Sequence, residues 1–378
     1  MKIQQKVKSS ENWDTTNTTD GFQAELCQIV LVFGGKTNIN VDLINELKNE
    51  YPIAQIISAS TSGEISNYDF FDEQLSITAI QLENTLIDSK VVNIKDFENS
   101  FELGLSLFAQ IPKNGLKYIL IISDGGLING TELLDGINKE NSNQILITGG
   151  LAGDGARFES TLVGLNNNLE TGNVVGVGFY GDSIQVGHGS LGGWDEFGPE
   201  RIITKSEKNV LFELDNKNAL ELYKQYLGAY AEELPGSALL FPLSLTSDEY
   251  DSKNVRTILS IDEEKQSMTF AGNLPIGSKV RLMKANFDKI ISASGMAAEQ
   301  AASLNLKNPD LALLISCVGR KLILNERVEE EIEIAKNIFG ENTAVAGFYS
   351  YGEISPLVKS QKCELQNQTM TITTLKEI

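Results

Sequence analysis

The sequence predicts an α/β fold of mixed α+β character: two pseudo-duplicated domains, each a mixed sheet covered by helices, built from strand-helix-strand units plus hairpins. Three observations predict it. Apolar runs of strand length alternate with amphipathic helical stretches, the pattern of sheets covered by helices. The tetrapeptide Gly-Glu-Ile-Ser occurs twice, at Gly63 and Gly352, each time after an apolar run. The surroundings repeat too: Ser89-Lys90-Val91 followed by Phe97-Glu98-Asn99 parallels Ser278-Lys279-Val280 followed by Phe287-Asp288-Lys289, and residues 118–125 parallel residues 312–319. The repetition implies an internal duplication in which each half sets a glycine-rich turn at a strand end.

Residues 1–24 are polar, rich in Lys, Asn and Thr, and are expected to form a loose tail. Residues 26–33 predict a buried strand. Gly34-Gly35 then turns into a helix with Leu43, Ile44 and Leu47 on one face, stopped before Pro52. The next strand, 53–59, leads into the first Gly-Glu-Ile-Ser turn, and residues 75–82 and 86–94 predict a hairpin. A second strand-helix-strand unit starts at Tyr118, has its helix near 132–137 and returns over 144–148. It ends in Gly149-Gly150-Leu151-Ala152-Gly153-Asp154-Gly155, where the glycines predict a tightly folded or closely approached backbone. Antiparallel material follows over 161–165, 173–180, 183–189 and 201–204.

An amphipathic helix over 219–227, with Gly228 as its stop, separates the halves. The predicted division is a tail over 1–24, a first domain over 25–215 and a second over 216–378. Downstream, residues 255–261, 267–271 and 279–283 read as strands, and 286–304 as a helix with a small-residue face at Ala297, Ala298 and Ala301. The last strand-helix-strand unit is the clearest: a strand over 311–316, a helix with Asn325 as its cap and Gly340 at its end, and a strand over 343–348. If those strands are parallel neighbours, their C-terminal ends lie side by side, where open α/β sheets bind ligands.

The 378 residues carry a net charge of -20 and a pI near 4.5. Such a chain repels phosphate backbones and anionic lipid heads, and no basic cluster breaks the acidic background, so neither nucleic acid nor membrane is an expected partner. Cys27, Cys317 and Cys363 show no metal-ligand spacing, and His188 is the sole histidine, which excludes multi-histidine metal sites. No apolar segment is long enough to span a bilayer, so a reducing cytoplasm is the expected compartment.

The segment Ser316-Cys317-Val318-Gly319-Arg320, followed by Gly347 to Pro356, resembles the C-terminal half of FIST proteins, named for F-box and intracellular signal transduction. Thr61 to Ser66, Gly149 to Asp154 and the glycine-tryptophan segment Gly192 to Gly198 resemble the FIST N-terminal domain in order and spacing. The resemblance covers roughly Cys27 to the end. It implies a non-enzymatic cytoplasmic sensory protein that binds a small ligand such as an amino acid. The chain carries no kinase, cyclase or methyl-accepting segment of its own, so output would pass to a separate partner such as a histidine kinase, a cyclase or a chemoreceptor.

Each candidate residue has a structural and a functional reading. Glu353 and Glu64 either accept backbone N–H bonds in their turns or receive a ligand ammonium. Arg320, one of only six arginines, either grips a ligand carboxylate or pairs internally with Glu353. Tyr351 and Gly352 complete the expected ligand set, with Arg256 matching another FIST position. Cys317 is a buried thiol or a nucleophile lacking a nearby base. Glu64, Gly149, Gly150 and Asp154 form a second candidate loop site, which lacks the lysine of a phosphate cradle. No cofactor is expected; the alternative is haem on His188, since some FIST proteins are haem-based nitric oxide sensors. An uncharacterised enzyme is the remaining alternative.

Overall fold

The computed structural model describes residues 1–8, 12–142, 144–234, 236–246, 254–302, 308–356 and 362–378. It is an α/β protein of mixed sheets with helices against them, as expected. Three strand-helix-strand units each supply a parallel pair. Ile29–Gly34 lies beside Gln55–Ser60, Leu116–Ser123 beside Leu146–Leu151, and Leu311–Cys317 beside Ala344–Ser350. The crossover helices are Val41–Glu50, Gly130–Glu140 and Val328–Phe339. Asn40 and Asn129 cap the first two, each accepting from the backbone N–H three residues on. In each sheet an antiparallel strand flanks the first member of the pair: Leu75–Gln81, Asn173–Tyr180 or Met370–Glu377. A further strand lies outside it: Lys2–Lys8, Leu86–Asn93 or Ile184–Leu191.

The repeat is therefore threefold at the level of sheets, and the units are interlocked. After its second parallel strand each unit sends a short hairpin into a neighbour's sheet. Glu64–Ser66 and Asp69–Phe71 extend the third sheet beside Ala344–Ser350. Gly352–Pro356 and Cys363–Gln366 extend the second sheet beside Leu146–Leu151. Val163–Leu165 and Asn168–Glu170 extend the first beside Gln55–Ser60. The exchange satisfies strand edges that would otherwise stay unpaired. It also closes a ring of backbone hydrogen bonds, Ser62 N–H to Tyr349 O at 2.9 Å, Tyr351 N–H to Leu151 O at 3.1 Å and Gly153 N–H to Ser60 O at 2.9 Å.

The inner faces of the three sheets share one core, which joins Leu31, Phe33, Leu120, Ile122, Ile315 and Phe348. Each outer face has its own apolar layer. The helix Val41–Glu50 supplies the first, Ser100–Gln110 with Gly130–Glu140 the second, and Phe287–Ala302 with Val328–Phe339 the third.

An inserted subdomain interrupts the third unit between Ile184–Leu191 and Phe287–Ala302. Its sheet runs from Asp195–Glu207 to Lys279–Lys284, and its own core packs around the helix Ala219–Leu227. It leaves and rejoins the body through paired chains, Asp195 opposite Lys284.

Several expectations change. Residues 2–8 and 13–18 are paired strands and not a loose tail, because every second residue, Ile3, Gln5 and Val7, is buried; Gln5 donates to Val345 O at 2.8 Å. Residues 75–81 and 86–93 form no hairpin: they lie in different sheets, and the chain crosses where the Glu377 carboxylate accepts the N–H groups of Glu83, Asn84 and Thr85. Ser89-Lys90-Val91 and Ser278-Lys279-Val280 occupy non-equivalent strands, one in the second sheet and one in the insertion. The expected helix over 286–304 runs Phe287–Ala302, and residues 303 and 304 lie outside the described residues.

Candidate functional site

The C-terminal ends of the second and third parallel pairs face the inserted subdomain across a cleft of about 350 Å³. Cys317, Val318 and Gly319 come from the end of the strand Leu311–Cys317, Tyr351 from the following strand end, and Asn367 from the turn before Met370–Glu377. The insertion supplies Leu239, Thr257, Ile258, Leu259 and Ala271. Apolar atoms dominate the lining, and no Lys, Arg, Asp or Glu is among the described lining residues. A second cleft of about 390 Å³ shares Phe158, Leu259, Ala271 and Tyr351 with the first and extends to Gly125 and Asn129. Between the two, the rings of Phe158 and Tyr351 stack with centroids 4.5 Å apart.

Asp154 builds that partition. Its carboxylate accepts the backbone N–H of Phe158 at 2.9 Å and those of Glu159 and Ser160 at 3.0 Å each, and the Tyr351 hydroxyl donates to it as well. Burial raises the Asp154 pKa, but these donors outweigh it and leave the group below the usual aspartate value. Phe158 itself takes a positive φ of 55° and remains 47% exposed, so the loop holds a large ring at the rim in a conformation non-glycine residues seldom adopt.

The expected ligand set divides here. Tyr351 and Cys317 line the cleft. Burial pushes both the Cys317 thiol and the Tyr351 hydroxyl well above their ordinary values, so neither is an ionised nucleophile or base near neutral pH. Gly352 and Glu353 lie one step behind, paired with Leu151 and Gly150 of the second sheet. Glu353 is fully buried and accepts from Ser350 Oγ at 2.8 Å, Thr369 Oγ1 at 2.8 Å and Thr369 N–H at 3.1 Å. Burial raises its pKa to about 7 despite those donors.

Glu64 repeats the arrangement at the equivalent turn. It accepts from Thr61 Oγ1, three residues earlier as Ser350 is for Glu353, and from Gln74 N–H at 3.1 Å, and burial raises its pKa to about 8. Glu64 lines none of the clefts described.

Arg320 is held inside the fold and not in the expected ligand set. Its guanidinium is fully buried and reaches no ligand space: Nη2 donates to Glu331 at 2.6 Å, Ser294 Oγ at 2.8 Å and Ile290 O at 2.9 Å, and Nη1 donates to Gly192 O at 2.6 Å. Its ion-pair partner is Glu331, not Glu353, and Tyr349 and Ser316 hydroxyls satisfy the other Glu331 oxygen. The network ties the helix Phe287–Ala302 to the helix Val328–Phe339. Arg256 is likewise 1% exposed and donates to Asn273 O at 3.2 Å and Leu365 O at 3.3 Å, bracing the insertion on the second sheet.

Gly149 and Gly150 lie within the strand Leu146–Leu151 and not in a ligand loop. A Cβ on Gly149 would stand 1.8 Å from Ile121 O, and one on Gly150 would meet Ile315 at 2.6 Å. His188 sits in the strand Ile184–Leu191 with Nδ1 buried and unpaired, and is not among the residues lining the clefts described. Sequence reasoning missed Phe158, Thr257 and Asn367, whereas Cys317 and Tyr351 of the same lining were in the expected ligand set.

Comparison with known families decides the relationship. The FIST N domain matches residues 28–217 and the FIST C domain residues 219–356. The chain belongs to the FIST family. FIST domains are sensory domains of signal transduction and are not typically catalytic. The junction between the two FIST matches falls inside the inserted sheet, whose strands 195–214 come from the first match and 243–284 from the second. The FIST N and FIST C portions are thus one interlocked body. No curated protein matches the chain. No helix among the described residues is long and apolar enough to cross a membrane.

Proposed function

We propose that this FIST protein is a non-enzymatic sensor that binds a small molecule in the cleft beneath the inserted subdomain and passes the occupied state to a separate signalling protein, such as a histidine kinase, a cyclase or a chemoreceptor. The cleft carries the reading: it is concave, mostly apolar, and built from strand ends on one wall and a distinct subdomain on the other. A ligand touching both walls favours one arrangement of the insertion over another, and differential contact is what couples binding to output. Among the described lining residues the titratable groups are Cys317 and Tyr351, both held protonated, which supports binding without turnover. The strongly acidic composition favours a protein or small-molecule partner over nucleic acid or an anionic membrane.

Native mass spectrometry of freshly purified protein tests the reading. A small retained mass is expected in the wild type and absent in Ala271→Trp, whose indole fills the cleft. Retention of the same mass by the filled variant would place the ligand elsewhere.

A further inference from the structure

Residues that line the cleft carry buried polar atoms that the fold leaves without partners. Asn367 is fully buried and its Nδ2 donates to Gln366 O at 2.9 Å, which fixes the orientation of the amide. Its Oδ1 is then left as an acceptor with no hydrogen-bond partner among the described residues. On the other wall Thr257, 4% exposed, carries a buried hydroxyl that is also unpaired. Both residues line the cleft. Behind it, Gln368 packs on Gly319 with neither amide atom paired. Native folds keep few such atoms, because each is costly to desolvate without a partner. Two of them belong to residues on opposite walls of one apolar cleft.

The sign of that group follows from the lining. A charged group entering the cleft loses its hydration and meets no countercharge, since none of the described lining residues is ionised. Arg320 and Glu353, which would have clamped a zwitterion, are engaged inside the fold. Asn367 Oδ1 accepts only, so the ligand brings the proton. The stacked Phe158 and Tyr351 rings give the same cleft a flat apolar surface.

Resting on the cleft as the ligand site, we propose that the ligand is a neutral, flat, largely apolar molecule bearing an N–H or O–H donor. The donor bonds Asn367 Oδ1, and the Thr257 hydroxyl contacts the same polar edge. Free amino acids fall outside this class.

Ligand-observed NMR on the full chain tests it with two matched sets of probes: indole, 1-methylindole and L-tryptophan; phenol, anisole and L-tyrosine. Indole or phenol is expected to bind, with the methylated counterpart weaker by about tenfold or more and the zwitterion silent. Asn367→Ala is expected to abolish the difference between each donor and its methylated counterpart. Thr257→Val, close in shape and safe for folding, is expected to weaken the donor probes several-fold. Equal binding of donor and methylated probes, preference for the zwitterions, or silence from all six overturns the ligand class. Ala271→Trp separates the two levels. If it loses the probes while methylation makes no difference in the wild type, the cleft stands and the class falls; if it binds them unchanged, the cleft itself is not the site.

Discussion

The Gly63-Glu64 turn and the Gly153-Asp154 loop leave equivalent strands, Gln55–Ser60 and Leu146–Leu151, yet they do different things. The first enters its hairpin strand at once, and its carboxylate is consumed by Thr61 and Gln74. The second runs on to Phe158 before rejoining a sheet at Val163, and its carboxylate holds that longer loop together. The third copy, Gly352-Glu353, is closed like the first. Its difference lies two residues before the acid, where Tyr351 stands in place of Ser62 and Ala152 and reaches Asp154 of the neighbouring unit. One turn design thus serves twice as a brace. At Asp154 a longer loop and one large side chain from a neighbour turn it into the wall of a cleft.

The comparison is broken most severely at Arg320. Arg320→Ala leaves the Glu331 carboxylate buried without its countercharge, and about 3 to 5 kcal/mol of stability is expected to be lost in urea denaturation. Unchanged stability with lost ligand retention would return Arg320 to the ligand set.

Next come the two closed carboxyls. Their folded pKa values, about 7 for Glu353 and about 8 for Glu64, lie above the unfolded value near 4.5, so the folded state binds the extra protons in that window. Stability therefore falls as pH rises from 4.5 through 7 to 8. Glu353→Gln and Glu64→Gln are expected to flatten this slope, each recovering up to about 3 kcal/mol at pH 8. A slope that persists in the double variant would locate the titration elsewhere.

Asp154 has the opposite sign. Its folded pKa is depressed, so its contribution is present above the usual aspartate value and is lost as pH falls through the folded one. Asp154→Asn is expected to cost about 1 to 2 kcal/mol, and thermal melts above pH 5 would show it. The smallest effect is expected at Phe158. The half-exposed ring contributes little to the core, so Phe158→Ala should change stability by less than about 1 kcal/mol while speeding ligand exchange between the two clefts.

Much of this architecture was legible in the sequence. The strand at 173–180 and the helix at 219–227 were readable from apolar pattern and the Gly228 stop, and the strands expected over 311–316 and 343–348 from the compact strand-helix-strand spacing, although their parallel pairing was only a condition there. The Gly153-Asp154 copy of the turn was hidden because Asp replaces Glu and the hairpin strand begins nine residues later, at Val163. The exchange of hairpins between sheets left no local trace, since period-2 burial reads the same in any sheet. Arg320 was misread for a related reason. Its scarcity marked it as special, but Glu331, eleven residues on in a helix, was one acid among several in that stretch, and only the fold shows which of them faces inward. Asn367 gave no warning, because an asparagine in a turn ordinarily bonds its own backbone, and half of its amide does so here.

The central claim is that the Asp154 and Tyr351 copies of the turn meet a ligand and the Glu64 copy does not. Hydrogen–deuterium exchange compares them in one experiment, with the protein free and saturated with its tightest neutral probe. The account predicts slowed exchange in residues 154–161, 257–259 and 317–322, with residues 60–66 unchanged. Protection centred on Thr61 to Ser66, with the other three segments unaffected, would contradict it.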